Sequence, residues 1–314
     1  MISVIISTYE QSDILPLTLA SLAAQEFSGH FEVIVADDGS DPATLAAVKK
    51  WSQCSTLDVR YVWQPDRGYR LGMSRNNAIR CARGNVLVLL DGDIVVRPDF
   101  LSSQCRIREA LPECSIVGTF RKWLRIESPA SGHLGLTELY SMADNCGYYS
   151  EKEWQIKQAA SAIPWTACWG FALSLLRRSE VSYDERITGW GGEDYELLCR
   201  LHSHYSYGVC VNEELEVIHL ITSDAHEYSP WTKADHDTIA NYLHNCIYLK
   251  AKFQGIDLSS AMWGLHGFVL DESTGRWRRR RDGEEATLAE SIARAENWIR
   301  GLPEDSRWAL PAAA

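Results

Sequence analysis

Two aspartates flank a single glycine at Asp91-Gly92-Asp93, directly after the apolar run 86–90. Two carboxylates at this spacing form a hard, anionic oxygen site that suits Mg²⁺ or Mn²⁺, and such a cation can hold a diphosphate. As a Lewis acid, the cation would neutralise the charge that builds on a leaving group. Aspartate and glycine are also common turn residues, so a plain strand-to-turn transition is the alternative interpretation of this motif.

Polar residues follow three further apolar runs in the same way. They are Thr8-Tyr9-Glu10, Asp37-Asp38-Gly39 and Gln64-Pro65-Asp66-Arg67. A carboxylate such as Asp38 can accept hydrogen bonds from a ribose or from a base N–H. Ser40 or Asp41, followed by Pro42, is typical of the start of a helix. Four strand ends that carry polar residues indicate a ligand site more strongly than any single motif does.

The elements that must position these residues alternate between two hydrophobic periods. Short β-branched runs predict strands, and apolar residues at helical spacing predict helices. The predicted strands are 2–7, 31–36, 59–63 and 86–90, and the predicted helices between them are 14–24, 42–51 and 72–83. This rhythm predicts an α/β fold with a Rossmann-like, mostly parallel central sheet flanked by helices. Ligands bind such sheets at the carboxyl ends of the strands, where the polar residues collect.

Arginines can supply the local positive charge that a diphosphate site needs in a chain of formal net charge −11. Arg67 and Arg75 are the candidates, because a guanidinium group binds phosphate in a fork. The alternative is a solvated helix face, since exposed arginines are the usual case. Arg75 and Asn76 are adjacent in the sequence, so both cannot point outward in the same direction.

Two further segments carry candidate residues. In the stretch 189–196, three glycines and Trp190 precede Glu193 and Asp194. Glycine permits close backbone approach, Trp190 can stack on a sugar ring, and a helix N-terminus stabilises an ionised carboxylate that can act as general base. An ordinary acidic first helical turn is the alternative. His219 ends the apolar run 215–218, and it is either a third metal ligand or a satisfied rim histidine.

The second half of the chain is less regular. Residues 122–165 predict a long connection over the site, and the remainder predicts strands at 165–176 and 209–219, helices at 193–204, 231–253 and 284–300, and a hairpin at 269–278. We expect one domain over 1–220 that carries the strand-end site, and a helical and hairpin extension over 221–314 packed on it. The arginine-rich run 276–281 is followed directly by acids, so no site is assigned to it.

Bulk composition excludes several classes of protein. A net charge of −11 argues against a nucleic-acid partner, which selects basic surfaces. Nine scattered cysteines without a CxxC pair favour a reducing compartment over a disulfide or zinc framework. No apolar run approaches the ~20 residues of a membrane span. The sequence therefore predicts a cytoplasmic protein without a transmembrane segment, and it leaves a peripheral membrane contact open.

The segments 4–10, 33–40 and 88–93 resemble family 2 glycosyltransferases of the GT-A fold. Segment 64–77 resembles the bacterial chondroitin polymerases, and segment 189–196 resembles the motif shared by animal β-1,4-galactosyltransferases and polypeptide GalNAc-transferases. The resemblance covers roughly residues 1–220, and it implies that these residues form the nucleotide-sugar-binding and catalytic domain and that the extension over 221–314 shapes the acceptor site.

That resemblance implies a metal-dependent transfer of a hexose or N-acetylhexosamine from a UDP-sugar to an acceptor, which is a saccharide, a peptide or a small molecule. The implied roles are nucleotide contacts from Thr8, Tyr9 and Glu10, uracil or ribose contacts from Asp38 and Asp91, Mn²⁺ or Mg²⁺ ligation by Asp93 and His219, hydroxyl contacts from Glu193, and base catalysis by Asp194. The Glu-Asp pair mostly accompanies inversion of the anomeric centre, whereas the GalNAc-transferases with a similar motif retain it.

Three other functions fit the sequence less well. A sugar nucleotidyltransferase also uses metal-bound aspartates on a parallel sheet, but it would need a glycine-rich basic loop after the first strand, where this chain has Tyr9-Glu10-Gln11-Ser12. A dehydrogenase would need GxGxxG at the same place. A non-catalytic nucleotide-sugar-binding protein would be expected to lose the base or a metal ligand, and this chain keeps them all.

Overall fold

A computed structural model describes most of the chain. The described residues are 1–54, 57–112, 114–126, 135–145, 172–222, 236–253, 268–271, 273, 276–279, 290, 293 and 297. Much of the predicted connection 122–165, the first part of the strand predicted at 165–176, and most of the helix predicted at 284–300 lie outside these ranges.

The first ninety residues confirm the predicted alternation. The elements are β1 (Ile2–Thr8), α1 (Leu15–Ala23), β2 (Phe31–Asp37), α2 (Pro42–Cys54), β3 (Val59–Trp63), α3 (Leu71–Cys81) and β4 (Val86–Asp91). Strand β1 pairs in parallel with β2 and β4, and β2 pairs in parallel with β3. The four strands therefore end at one edge of the sheet.

The elements that follow are less regular. They are β5 (Ile94–Val96), α4 (Phe100–Ala110), β6 (Cys114–Ile126), α5 (Leu136–Asn145), β7 (Ala172–Leu176), α6 (Glu193–Tyr205), β8 (Gly208–Thr222), α7 (His236–Lys252), β9 (Phe268–Asp271) and β10 (Arg276–Arg279). Strands β9 and β10 pair antiparallel, which confirms the predicted hairpin. The connection predicted over 122–165 is wrong in two places, because residues 122–126 belong to β6 and residues 136–145 are helical. Strand β6 pairs with β8, which lies about a hundred residues later in the chain. Local sequence does not reveal this pairing.

The large sheet has eight strands in the order β3-β2-β1-β4-β7-β6-β8-β5. Its first four strands are parallel, whereas β7 runs antiparallel to both neighbours and β5 runs antiparallel to β8. Alternate residues of β1 enter two different hydrophobic clusters, with Val4 and Ile6 on one face and Ile5 on the other. Because hydrophobic clusters cover both faces of β1, its sequence is a nearly unbroken apolar run.

Glu32, on β2, is fully buried within this otherwise apolar strand. It accepts hydrogen bonds from Ser3 Oγ at 2.5 Å, from the backbone N–H of Arg83 at 2.6 Å and from Arg83 Nε at 2.7 Å, and it also pairs with Arg60. Burial alone would raise the pKa of Glu32, but these donors outweigh it and hold the pKa at about 2. The carboxylate ties β1, β2, β3 and the turn before β4 together.

We expect this carboxylate to make stability fall in acid. The pKa of Glu32 is depressed from 4.5 to about 2, so its contribution is complete above pH 4.5 and is lost as the pH falls towards 2. The shift corresponds to about 3 kcal/mol of unfolding free energy. Denaturant unfolding between pH 2 and 7 should give Glu32→Gln a much lower unfolding free energy than the wild type near neutrality. The difference between the two proteins should shrink in acid. The exposed control Glu26→Gln should follow the wild type, and a pH-independent deficit in Glu32→Gln would contradict this assignment.

Packing divides the chain into two compact units. The first comprises the described parts of residues 1–67, 73–183 and 197–226, and it contains the eight-stranded sheet. The second comprises residues 68–72 and 184–196 and the described part of 227–314, with α7 and the hairpin. The domain boundary at residue 220 stays a prediction. Among the described residues, no helix combines the length and apolar character that crossing a membrane requires.

Candidate functional site

Parallel pairing brings the polar strand ends of the first unit to one edge. In the sheet register Thr8 lies beside Asp37, and Ser7 lies beside Asp91. Gln64 follows β3 directly, and its backbone N–H donates to the carbonyl of Asp37 at 3.2 Å. The chain-distant segments that the sequence singled out at this edge therefore lie next to one another.

Asp93 and His219 form a close pair at the same edge. Strand β5 pairs with β8 so that Ile94 lies opposite His219, and the Leu220 N–H donates to the Asp93 carbonyl at 2.9 Å. His219 Nε2 lies 3.1 Å from Asp93 Oδ2, which also accepts from Gln11 Nε2 at 3.2 Å. Asp93 Oδ1 is buried and has no hydrogen-bond partner in the part of the chain that the structure describes.

This pair fits a divalent cation. The chemistry of the two side chains fits, because a carboxylate oxygen and an imidazole nitrogen are both ligands that Mn²⁺ accepts. A buried carboxylate oxygen without a partner is costly, and a cation would satisfy it. The described residues contain no group of three or more candidate ligand side chains. Phosphate oxygens and water would therefore have to complete the coordination, as is common for Mg²⁺.

Arg75 is buried rather than solvated. Its guanidinium donates to Ser7 Oγ at 2.8 Å, to Asp91 Oδ1 at 2.8 Å and to the Tyr183 hydroxyl at 3.2 Å. Asn76 is buried as well, and it exchanges hydrogen bonds with the Tyr183 backbone. The solvated-face interpretation is therefore wrong for Arg75. Arg75 is better placed to orient Asp91 than to reach a phosphate, whereas Arg67 is exposed.

Asp38 is buried in a chain of polar side chains. Gln64 Nε2 donates to Asp38 Oδ1 at 2.5 Å, and Asn77 Nδ2 donates to Gln64 Oε1 at 2.8 Å. Asp37, not Asp38, makes the turn, because its Oδ1 accepts from the backbone N–H groups of Gly39 and Ser40. Gly39 has φ +108°, and a Cβ there would lie 2.5 Å from the Asp66 backbone. Asp38 therefore remains a ligand candidate.

The residues after β1 have different surroundings. Thr8 is buried and donates to Gln11 Oε1 at 3.2 Å. Tyr9 is exposed, and its hydroxyl donates to Asp66 Oδ2 at 3.3 Å. Glu10 has a left-handed backbone, with φ +51°, and its carboxylate accepts from the Asp41 N–H at 2.8 Å. An exposed aromatic ring at a strand end offers a stacking surface for a flat ligand group.

In the second unit, the glycine-rich loop lies against α7. All three glycines have positive φ, and a Cβ at Gly189 would lie 2.4 Å from Asn241 Cβ. Asn245 Nδ2 donates to the carbonyls of Thr188 at 3.1 Å and Gly191 at 2.8 Å. The Trp190 ring packs on Tyr242 with a centroid distance of 5.4 Å. Left-handed backbone and close approach explain the glycines.

Glu193 and Asp194 begin α6, as the sequence predicted. Glu193 is buried and Asp194 is half-buried. Glu196, two positions after Asp194, is fully buried, and it accepts from Lys252 Nζ at 2.6 Å. The acids at the start of this helix therefore differ in exposure, and Asp194 is more accessible to solvent than either neighbouring glutamate.

Five further residues contact residues of the predicted motifs, and the sequence did not single them out. They are Gln11, Asn77, Tyr183, Asn245 and Lys252. Gln11 and Asn77 lie beside predicted motifs, so proximity in sequence was a usable signal for them. Tyr183, Asn245 and Lys252 reach their partners across long chain separations, for which a single sequence carries no signal.

The sequence is similar to known proteins over more than half of its length. The model of glycosyl transferase family 2 matches residues 3–178. A validoxylamine A glucosyltransferase from Streptomyces hygroscopicus subsp. jinggangensis is 29% identical over 220 residues, which cover 65% of this chain and 52% of the relative. A chondroitin synthase from Pasteurella multocida is 31% identical over 224 residues, which cover 64% of this chain and 23% of the relative. The chain thus spans about half the length of the first relative, and much less of the second.

Solved structures share the fold at low sequence identity. The S. aureus TarS 1–349 structure aligns with a TM-score of 0.55 at 16% identity, covering 98% of this chain and 77% of that one. A Pyrobaculum calidifontis mannosyltransferase, solved with GDP-Man and Mn²⁺, aligns with a TM-score of 0.52 at 16% identity, covering 96% and 70%. The predicted α/β architecture is confirmed as GT-A. Since the family model matches more than half of its residues, the chain belongs to glycosyl transferase family 2.

Proposed function

We propose that this chain is a metal-dependent glycosyltransferase that moves a hexose or N-acetylhexosamine from a UDP-sugar to an acceptor nucleophile. The observation that carries the proposal is the Asp93–His219 pair at the strand edge, with a buried carboxylate oxygen that no described residue satisfies. Both side chains are ligands of the kind that Mn²⁺ or Mg²⁺ accepts.

The donor assignment is supported by the neighbouring side chains and by the relatives. The linked Asp38, Gln64 and Asn77 side chains offer the carboxylate and amide groups that can read a uracil or a ribose. The TarS fragment has been solved with UDP-GlcNAc, and the archaeal mannosyltransferase with GDP-Man and Mn²⁺. A uridine donor is therefore the first to test.

In the proposed reaction the acceptor oxygen attacks the anomeric carbon, the bond from that carbon to the diphosphate oxygen breaks, and the acceptor proton passes to Asp194. A cation held by Asp93 and His219 would supply charge neutralisation for the departing diphosphate. Asp194 lies in the first turn of α6, where it is half-buried and within reach of solvent. Glu193 would hold sugar hydroxyls, and Trp190 would offer a ring face. A single displacement of this kind inverts the anomeric centre.

The proposal also covers the class of acceptor and the cellular compartment. A saccharide, a peptide and a small molecule remain the acceptor candidates, and the names of the relatives include both a validoxylamine and a chondroitin. Cys81, Cys105, Cys199 and Cys246, whose side chains the structure describes, are not joined in disulfides. We propose a reducing, cytoplasmic setting on this pattern. A non-catalytic nucleotide-sugar-binding protein is the second candidate, and UDP release from a donor panel separates it from an enzyme.

We expect UDP binding to depend on the metal pair. Titration of UDP in Mn²⁺ should give an affinity that falls by at least about tenfold, or 1.4 kcal/mol, when EDTA replaces the metal. Asp93→Asn and His219→Ala should each bind UDP as weakly in Mn²⁺ as the wild type does in EDTA. The exposed histidine control His30→Ala should retain the metal effect. Equal UDP affinity in Mn²⁺ and in EDTA would contradict the proposed metal site.

A further inference from the structure

Gln11 lies between β1 and α1, at the strand edge that carries the Asp93–His219 pair. Its backbone carbonyl accepts from the N–H groups of Ile14 at 3.2 Å and Leu15 at 2.9 Å, where α1 begins. These bonds use only the main chain, so they do not depend on the side chain at position 11. The half-buried amide of Gln11 therefore has a role of its own to explain.

Two contacts give the Gln11 amide a single orientation. Thr8, which is buried, donates from Oγ1 to Gln11 Oε1 at 3.2 Å, and Gln11 Nε2 donates to Asp93 Oδ2 at 3.2 Å. An ionised carboxylate only accepts hydrogen bonds, and an amide donates only from its nitrogen. The reversed amide would place its oxygen against the Asp93 carboxylate. Gln11 therefore presents a donor to one chosen oxygen of Asp93.

The main chain around Asp93 is held by other residues. The Gly92 carbonyl accepts from Oγ1 of the fully buried Thr18 at 2.7 Å, and the Asp93 carbonyl accepts from the Leu220 N–H at 2.9 Å. These bonds fix the backbone on both sides of Asp93, but they do not set the rotation of its carboxylate. The donor on Gln11 acts on that rotation.

Gly92 leaves the space that the Gln11 amide occupies. A Cβ at Gly92 would lie 2.3 Å from Gln11 Oε1 and 3.0 Å from the Ser7 carbonyl oxygen. The first distance is far inside the about 3.5 Å at which two heavy atoms pack without repulsion. An alanine at position 92 would therefore displace the amide from its place beside Asp93. The glycine between the two aspartates and the glutamine after β1 depend on each other.

The two carboxylate oxygens of Asp93 have different surroundings. Oδ2 accepts from Gln11 and lies 3.1 Å from His219 Nε2, whereas Oδ1 is buried and has no hydrogen-bond partner among the residues that the structure describes. A carboxylate held in this way offers a cation one oxygen. A small octahedral ion such as Mg²⁺ suits a single oxygen, whereas the larger Ca²⁺ has a flexible shell that often includes both oxygens of a carboxylate.

We infer that Gln11 is a positioning residue that makes Asp93 a one-oxygen ligand and so sets a preference for Mn²⁺ over Ca²⁺. The inference rests on the proposed function, because Asp93 and His219 are the metal pair of that proposal. Substituting a residue that orients a metal ligand commonly lowers metal affinity about 10- to 100-fold. Without Gln11 the carboxylate can turn and present both oxygens, which disfavours Mn²⁺ and not Ca²⁺.

The test titrates Mn²⁺ and, separately, Ca²⁺ into the whole chain at one fixed UDP concentration. The quantity measured is the cation concentration that gives half of the full increase in UDP binding. For the wild type this concentration should be lower for Mn²⁺ than for Ca²⁺. Gln11→Ala should need about tenfold more Mn²⁺ and no more Ca²⁺. Its UDP affinity in EDTA should equal that of the wild type, because the nucleotide contacts and the fold are intact.

Gln53→Ala is the matched control, because Gln53 is an exposed glutamine on α2. It should follow the wild type with both cations. Gly92→Ala is a second variant, and it keeps the test decisive if Gln11→Ala fails to fold. It should raise the Mn²⁺ requirement in the wild type and have a much smaller effect in Gln11→Ala, where no Oε1 remains for the new Cβ to meet. Additive effects of the two substitutions would overturn the inferred contact.

Failure of this inference and failure of the proposed function give different results. UDP binding by the wild type that does not respond to Mn²⁺ would remove the metal site, and the role of Gln11 with it. A wild type that responds to Mn²⁺, with the same ratio of Mn²⁺ to Ca²⁺ requirement in Gln11→Ala, would overturn the role of Gln11 alone. The same holds if Ca²⁺ acts on neither protein, or if Gln11→Ala also loses UDP affinity in EDTA, which indicates a general structural defect.

Discussion

Asp194→Asn is expected to abolish sugar transfer while donor binding persists. Asparagine has nearly the same size and shape as aspartate, but it cannot take up the acceptor proton. A positioned general base contributes about 10²–10⁴-fold to a rate. The kcat of Asp194→Asn should therefore fall by at least about 10²-fold. The KM for the UDP-sugar should change little, since the lost interaction is made in the transition state.

The position of Asp194 is the reason to expect a lower kcat with an almost unchanged KM. It is half-buried in the first turn of α6, between the buried Glu193 and Tyr195. The helix N-terminus stabilises its anion, and partial exposure leaves room for an acceptor hydroxyl. Neither neighbour combines a titratable carboxylate with this degree of access.

The measurement is UDP release with the best donor of a panel, together with UDP-sugar titration of the same variants. Asp99→Asn is the matched control, because Asp99 is the residue before α4 and is also an aspartate at a helix start. It should leave kcat unchanged. An Asp194→Asn enzyme with wild-type kcat would remove Asp194 from the role of base, while loss of donor binding would assign it to binding.

We expect the substitution Lys252→Met to lower the free energy of unfolding strongly. Lys252 Nζ lies 2.6 Å from Glu196 Oε1 and 2.6 Å from Asp184 Oδ2. Glu196 is fully buried, and Asp184 also accepts from Arg186 and from the Tyr248 hydroxyl. Burial raises the pKa of Asp184, but its donors outweigh this effect and lower the pKa well below its usual range. Methionine keeps the packing of the lysine stem and removes the shared ammonium.

Breaking a buried ion pair by removing one partner costs about 3–5 kcal/mol, because a buried charge is left uncompensated. Chemical denaturation of Lys252→Met should show a loss of that size, and Lys50→Met, at an exposed position on α2, should stay within about 0.5 kcal/mol of the wild type. A loss below about 1 kcal/mol in Lys252→Met is typical of a surface pair and would contradict the buried network.

A double-mutant cycle separates the pair from general packing. Glu196→Gln removes the charge that Lys252 compensates, so the double variant Lys252→Met/Glu196→Gln should be more stable than the sum of the two single losses predicts. Strict additivity would mean that the 2.6 Å contact contributes nothing to stability. Because Glu196 is two residues after Asp194, weakened transfer in Lys252→Met would also identify Lys252 as a positioning residue for the start of α6.

Much of the fold was predictable because its local signals were strong. Strands β1 to β4 and helices α1 to α3 were predicted within a few residues, since buried parallel strands are unbroken apolar runs and the helices repeat at their own period. Strand β6 was not predicted at all, because its partner β8 is distant in the chain. No local pattern encodes a pairing of that kind.

The candidate site shows the same division. The sequence by itself determined which residues could do chemistry, because carboxylates after apolar strands and acids at a helix start depend only on residue type and spacing. Only the tertiary structure decided what those residues contact. It buried Arg75 against Asp91, placed His219 beside Asp93 through the pairing of β5 with β8, and gave Lys252 its two carboxylates. Such contacts join residues far apart in the chain, and their energy depends on burial and distance, which exist only once the chain has folded.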